Sequence, residues 1–214
     1  MKTFIYIHVC CINNWKDVFR KLMTKIRDSG LYDKVDEIRC NVLTSDANKD
    51  ELDDVFKDSK ITFKTSSDIK AFEVPTINWL YEDSKTDDFK VLYLHTKGIR
   101  HYNRPCEINV TDWVDYLVYF NIEQYSVCLE KLDEYDTVGV NLQSENVIHY
   151  SGNFWWSKSE YIRKLDKCKY ESYTDPEFWL TREKKGKYCC LWQSGINHYE
   201  ERYPIERYMN KMSC

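Results

Sequence analysis

Four consecutive residues, His95-Thr96-Lys97-Gly98, hold the densest chemistry of the chain, directly after the apolar run Val91-Leu92-Tyr93-Leu94. That run has the β-branched and aromatic content of a buried strand. Open α/β sheets receive their ligands beyond the carboxyl ends of their strands, which is where these polar groups would stand. Lys97 offers a point positive charge, Thr96 a hydroxyl and Gly98 room for close backbone approach, a set suited to a phosphate or pyrophosphate. Read locally, the same residues also make a strand followed by a solvated turn.

Other polar groups stand beside apolar segments: His8, the pair Ser151 and Asn153 around Gly152, the pair Asp175 and Glu177, and His198. Strand ends converge on one edge of a sheet, so positions this distant can share a cleft. A structural role accounts for some of them. His8 suits a hydrogen-bonded core histidine, and Asp175-Pro176 is a helix start with Asp at the cap and Pro in the first position. Glu177 gains only ~0.3–1 kcal/mol from a helix dipole. Asn153, wedged between Gly152 and Phe154-Trp155-Trp156, must find hydrogen-bond partners inside an aromatic run, and a sugar hydroxyl would serve. No hydrolase nucleophile motif, GxGxxG fingerprint or GxxxxGK[ST] loop occurs, which counts against a Rossmann-type oxidoreductase or methyltransferase.

The elements that must position these residues follow from periodicity. Residues 4–12 form a buried strand, and residues 15–28 carry Trp15, Val18, Phe19, Leu22 and Ile26 at helical spacing until Ser29-Gly30. A second strand spans residues 35–43, a polar loop residues 44–48, and a short acidic helix residues 49–56. Residues 60–65 alternate as a half-exposed strand, and residues 71–81 form a helix with Pro75 in its first turn. After the strand at 91–94 comes a long aromatic helical region, 112–132, broken near Asn121. Strands are expected at 136–142 and at 149–156, the latter interrupted at Gly152. Helices follow at 157–165, capped by Ser157, and from Asp175. This order predicts one α/β domain over residues 1–214, a mixed, mostly parallel sheet flanked by helices, whose first half (1–100) is of nucleotide-binding type.

Composition narrows the partners. The net charge of -4 argues against nucleic acid as a partner. No apolar run reaches the length of a membrane span. The 17 tyrosines and 7 tryptophans exceed what a core alone calls for and suit a sugar- or base-binding cleft. Nine cysteines, an odd number with no CxxC spacing, read as reduced thiols of a cytoplasmic protein rather than a disulfide or zinc scaffold.

The succession Tyr93-Leu94-His95-Thr96-Lys97-Gly98, Gly152-Asn153-Phe154-Trp155-Trp156, Pro176-Glu177-Phe178-Trp179 and His198-Tyr199 resembles a group of glycosyltransferases of large algal viruses and bacterial polysaccharide clusters. The likeness extends to the N-terminal glycosyltransferase domain of a multidomain chlorella-virus protein and runs from the first strand to His198. It implies a GT-A-like fold, a UDP-sugar donor, a glycan or other hydroxyl acceptor, residues 101–214 as the sugar- and acceptor-binding half, host cytoplasm as the location, and a place within a longer multidomain chain. In the related glycogenin-like enzymes a metal-binding Asp-x-Asp follows a central strand; here His95-Thr96-Lys97 takes that place. Their donor-contacting Asn-x-Gly strand resembles Ser151-Gly152-Asn153, their Asp-Gln-Asp helix start resembles Asp175-Pro176-Glu177, and their late metal-binding His resembles His198. The resemblance therefore implies a divalent cation, Mn²⁺ or Mg²⁺, held by His198 and His95, or Lys97 in its stead, since Asp-x-Asp is missing. Lys97 and the backbone near Gly98 would steady the diphosphate. Glu177 would stabilise the oxocarbenium-like centre, Glu177 or Asp175 would be the base on the acceptor hydroxyl of an inverting enzyme, and Ser151, Gly152 and Asn153 would orient the sugar, with Trp155 or Trp156 stacked on it. His8 and Val9 would lie near the base, with Glu73 and Thr76 near the ribose. The glycogenin-type likeness favours retention of configuration, and a non-catalytic binding module of the same fold is the alternative.

Overall fold

The structure, a computed structural model, describes residues 1–44 and 49–209; the expected polar loop lies, apart from Thr44, outside the described residues. Strand β1 (Lys2–Cys10) is apolar on both faces and buried almost throughout, as a central parallel strand must be. Helix α1 (Trp15–Asp28) buries Trp15, Phe19, Leu22, Met23 and Ile26, an i, i+4, i+7 stripe, against the sheet. Each such side chain contributes roughly 1.5–3 kcal/mol before the entropy of ordering it is counted. Gly30, at φ 79°, ends that helix, and the single turn α2 (Leu31–Lys34) leads into β2 (Glu37–Leu43). Next come α3 (Lys49–Val55), the half-exposed β3 (Ile61–Ser66), α4 (Val74–Ser84) with Pro75 in its first turn, and β4 (Phe89–His95).

The aromatic region is α5 (Glu107–Val118), one π-helical turn at Tyr119–Glu123, and α6 (Tyr125–Lys131). The break falls at Asn121, whose side-chain amide donates to the Leu117 carbonyl. Strands β5 (Thr137–Gly139) and β8 (Trp155–Lys158) join the main sheet. Between them β6 (Leu142–Gln143) and β7 (His149–Tyr150) form a separate two-stranded ribbon. Two expected long strands are thus each cut in two. Asn141, at φ 50°, turns the chain from β5 to β6, and Gly152 and Asn153, at φ 100° and 54°, turn it from β7 to β8. The short helices α7 (Ser159–Ile162) and α8 (Asp175–Trp179) and strand β9 (Tyr188–Cys190) complete the order. Two caps differ from expectation. Ser157 lies inside β8 and donates to the Asp136 carbonyl, and Thr174, not Asp175, precedes the first helical residue of α8.

The main sheet has seven strands in the order β3-β2-β1-β4-β8-β5-β9. All pairings are parallel except those of β8, which runs against both β4 and β5. The fold is therefore α/β, a central mixed and mostly parallel sheet with helices on both faces. From β1 the chain moves outward to β2 and β3, then returns to place β4 on the other side of β1. That reversal opens a crevice beyond the carboxyl ends of β1 and β4, the position where open sheets bind ligands. Among the described residues no helix is long and apolar enough to cross a membrane, and eight cysteines are free thiols.

Candidate active site

A cleft of about 230 Å³ occupies that crevice. Its floor is His8 and Cys10 from β1 and His95-Thr96-Lys97 from the end of β4. His8 and His95 are register partners across the two strands. Both rings are kept neutral. Burial pulls the His8 pKa down to about 4 against the pull of Glu73, and burial together with the nearby Lys97 charge takes His95 down to about 3. The His95 Nε2 donates to the Gly152 carbonyl at 3.0 Å, and His8 Nδ1 lies 3.0 Å from the Thr76 hydroxyl.

The wall toward α4 is Glu73, whose Oε2 accepts from the Tyr93 hydroxyl at 2.7 Å and from Asn153 Nδ2 at 2.6 Å. Asn153 in turn accepts from the Trp155 indole at 2.8 Å. This network satisfies the polar amide in the aromatic run and holds the carboxylate rigidly at the cleft. Opposite, Glu177 projects from α8, its Oε1 accepting from the Gly152 backbone N–H at 2.9 Å. Gly152 is sterically required: a Cβ there would meet Leu117 Cδ1 at 2.7 Å.

Two cations enter the cleft without carboxylate partners among the described residues. Lys97 is half-buried, its Nζ 3.6 Å from the centre of the Trp113 ring. Burial lowers its pKa, opposed by Glu177 and Glu73, neither of which forms an ion pair with it. Arg100 follows three residues on, at the mouth, its guanidinium 4.5 Å from the Phe72 ring centre and 5.3 Å from that of Tyr173. The rings hold both cations by their faces and leave the N–H groups free for a ligand. Arginine in that setting is a bidentate receptor for phosphate oxygens.

The structure brings together His8, Glu73, His95, Thr96, Lys97, Gly98, Ser151, Gly152, Asn153 and Glu177 around this cleft. Thr96 is partly committed, because its hydroxyl accepts from the Cys10 N–H and ties β1 to β4. Several expected residues stand elsewhere. Val9 alternates to the opposite face of β1 from His8 and is buried in the core. Thr76 is fully buried and holds the His8 ring rather than a ribose. Trp155 is buried against Tyr93, ring centres 4.9 Å apart, and Trp156 donates to the Asn121 carbonyl, so neither can stack on a sugar. Asp175 is structural. Burial raises its carboxyl, but the Ser172 and Glu171 N–H groups and the paired Arg182 outweigh that and hold it at about 2.

His198 does not line the cleft. It stacks between Trp113 and Tyr116, at 5.1 and 5.6 Å, and its Nε2 is bonded to Asn141 and Ser194. Among the described residues no group of three or more His, Cys, Asp or Glu gathers at one point. With His95 Nε2 donating to a carbonyl and His198 inside an aromatic stack, the residues present do not fit the implied Mn²⁺ or Mg²⁺.

Residues not anticipated from sequence are Arg100, Phe72, Trp113, His101, Tyr173 and Tyr199, all lining the cleft. Arg100 was within reach of sequence reasoning, three residues beyond Lys97 in the same loop. The aromatic residues come from separate segments and carry no local signal.

By sequence, no curated protein matches the chain. Among solved structures it is similar to a candidate nucleotide-diphospho-sugar transferase from Desulfovibrio desulfuricans G20, at 11% identity and TM-score 0.47 over 90% of this chain and 81% of that one. It is similar to HddC from Yersinia pseudotuberculosis, at 14% identity and TM-score 0.47 over 90% and 91%. It is also similar to the 4-diphosphocytidyl-2C-methyl-D-erythritol synthase of Anaerococcus prevotii DSM 20548, at 11% and 0.49 over 89% and 86%. Residues 13–205 match the family described as a domain of unknown function, DUF8361, and the chain belongs to that family.

Proposed function

We propose that the protein is a glycosyltransferase that moves a sugar from a nucleotide-diphosphate donor, a UDP-sugar, to a hydroxyl acceptor. The observation that carries this reading is the pair of cations without counter-ions among the described residues, Lys97 and Arg100, in a cleft at the carboxyl ends of β1 and β4. A partly buried cation such as Lys97 is costly unless an anion completes it, and a diphosphate supplies charge to match both it and the exposed Arg100 at the mouth. The resemblance of the motif order to that of the algal-virus and bacterial glycosyltransferases supports the same assignment, and the free thiols suit a reducing compartment such as cytoplasm.

In this reading the departing diphosphate develops negative charge on its bridging oxygen, and Lys97 and Arg100 stabilise it. The sugar, held by Glu73 and Ser151, passes through an oxocarbenium-like state that the Glu177 carboxylate favours electrostatically. The neutral His8 and His95 contribute hydrogen bonding at the floor without adding to the positive charge. Likeness to glycogenin-type enzymes favours retention of configuration. No step is assigned to a metal ion, because among the described residues no group of His, Cys, Asp and Glu gathers to hold one.

The test is thermal unfolding with UDP, GDP, CDP and NAD, each with and without Mn²⁺. A ligand at 100 times its Kd adds ~2.7 kcal/mol, which in a chain this size raises the midpoint by roughly 5–10 °C. The expected result is a rise with UDP that Mn²⁺ does not change. No rise with any diphosphonucleotide refutes the reading; a rise with UDP but no transfer to any acceptor makes the protein a binding module.

A further inference from the structure

Among the described residues the exposed tyrosines number four, and three of them stand at one place, the mouth of the cleft. Tyr173 is 62% exposed and Tyr199 48%, and both line the opening; Tyr170, 46% exposed, packs on Phe72 beside them. They come from two segments distant in sequence, the stretch before α8 and the one after residue 195. Tyr173 lies on Arg100 and edge-on to Phe72, ring centres 5.1 Å apart, while Tyr199 packs on His101 at 5.3 Å. The Tyr199 ring, 48% exposed, also meets the Trp113 ring edge-on at 5.3 Å. Partial burial there raises its pKa, and Tyr173 and Glu177 add to the rise.

Tyr170 and Tyr173 meet on Phe72, but polar groups border the rings: Arg100 lies on Phe72 and Tyr173, and His101 lies against Tyr199. A flat apolar partner would leave those groups unsatisfied. A saccharide matches this border: its C–H faces lie on aromatic rings and its hydroxyls meet the polar groups beside them.

We infer that Tyr173 and Tyr199 form an acceptor subsite for an oligosaccharide, which they clamp so that one of its hydroxyls faces Glu177. The inference rests on the transferase reading and names the acceptor class for it. The sugar enters from the solvent side, past the two rings, and meets the donor held deeper by Lys97. Stacking sets the height and tilt of the acceptor ring, so the tyrosines are positioning residues.

The test uses the full chain against an immobilised set of neutral oligosaccharides with gluco-, galacto- and manno-configured ends, followed by a Kd for the tightest one. Binding of at least one is expected. Tyr173→Ala and Tyr199→Ala should each weaken it by about tenfold, equivalent to ~1.4 kcal/mol. Tyr199→Phe, which keeps the ring, should stay within about threefold. Tyr102→Ala, an exposed tyrosine outside the cleft, should change nothing. Absence of oligosaccharide binding, or equal binding by the two alanine variants, overturns the subsite. A parallel UDP unfolding assay separates the two ideas. A UDP response without oligosaccharide binding removes the subsite and leaves the transferase reading, whereas tyrosine-dependent oligosaccharide binding without a nucleotide response keeps the subsite and removes that reading.

Discussion

Replacing Lys97 by Met removes a charge while keeping an unbranched chain of similar volume. Its Nζ rests 3.6 Å from the Trp113 ring centre and forms no ion pair among the described residues, so no partner there is left uncompensated. Against a phosphate about 4 Å away, one unit charge in a site of effective dielectric ~20 has a gross attraction of ~4 kcal/mol. After desolvation the net worth of such a charged contact is ~1.5–3 kcal/mol. The Kd for UDP should therefore rise by ~10- to 150-fold. Titration calorimetry with uridine, UMP and UDP gives the discriminating readout, because uridine lacks phosphate and should bind the variant as it binds wild type. Stability should move the other way. Burial lowers the Lys97 pKa below its ordinary 10.5, so in the folded state the charge is held at a cost that the unfolded chain escapes. The unliganded variant should therefore melt no lower than wild type. Equal losses for uridine and UDP, or unchanged UDP affinity, would refute the placement of the diphosphate at Lys97.

Further outcomes follow from the same geometry. Glu177→Gln should cut transfer by at least ~10²-fold if its charge acts at the anomeric centre, with the UDP unfolding response kept; near wild-type turnover removes Glu177 from the mechanism. The floor histidines set an acid limit. Burial takes the His8 pKa from 6.5 to about 4, so the folded protein binds this proton less tightly than the unfolded chain, and stability that is complete above pH 6.5 is lost as pH falls toward 4. For His8 that loss is about 3 kcal/mol. His8→Gln should make the denaturant-measured stability fall less steeply over that interval, His95 and His198 keeping the rest of the slope, and an unchanged slope would show that the ring titrates normally. Gly152→Ala sets a Cβ 2.7 Å from the buried Leu117 at a backbone φ of 100°. It should cost ~2 kcal/mol or more, a fall of roughly 4–8 °C in Tm, and a variant that melts with wild type would contradict the turn as drawn.

The alternation of strands and helices, the helical stripe of α1, the buried strands β1 and β4 and the break at Asn121 were all legible in the sequence, because each depends on side chains within a few residues of one another. So was the place of the loop His95-Thr96-Lys97-Gly98 at the end of β4, since a strand that stops in charge and glycine advertises its own end. Period-two alternation already separates Val9 from His8, though both stand on one strand. Other features had no local signature. Asn153 was singled out for a sugar, yet its amide bonds reach Glu73, 80 residues away, and the neighbouring Trp155. Trp155, Trp156 and Asp175 had the right types for a site and are consumed by the core or by backbone N–H groups, which only packing decides. His198 and His95 were paired by resemblance alone, and the stack of Trp113 and Tyr116 on His198 keeps them apart in role. The two-cation cleft and its tyrosine mouth depend on the order β2-β1-β4, which places the ends of strands more than 80 residues apart side by side. Local sequence determined which kinds of element form and in what order, although the turns at Asn141 and Gly152-Asn153 cut two expected strands short. Tertiary structure decided which of their polar groups remain free to meet a ligand, because that depends on partners that only the folded chain supplies.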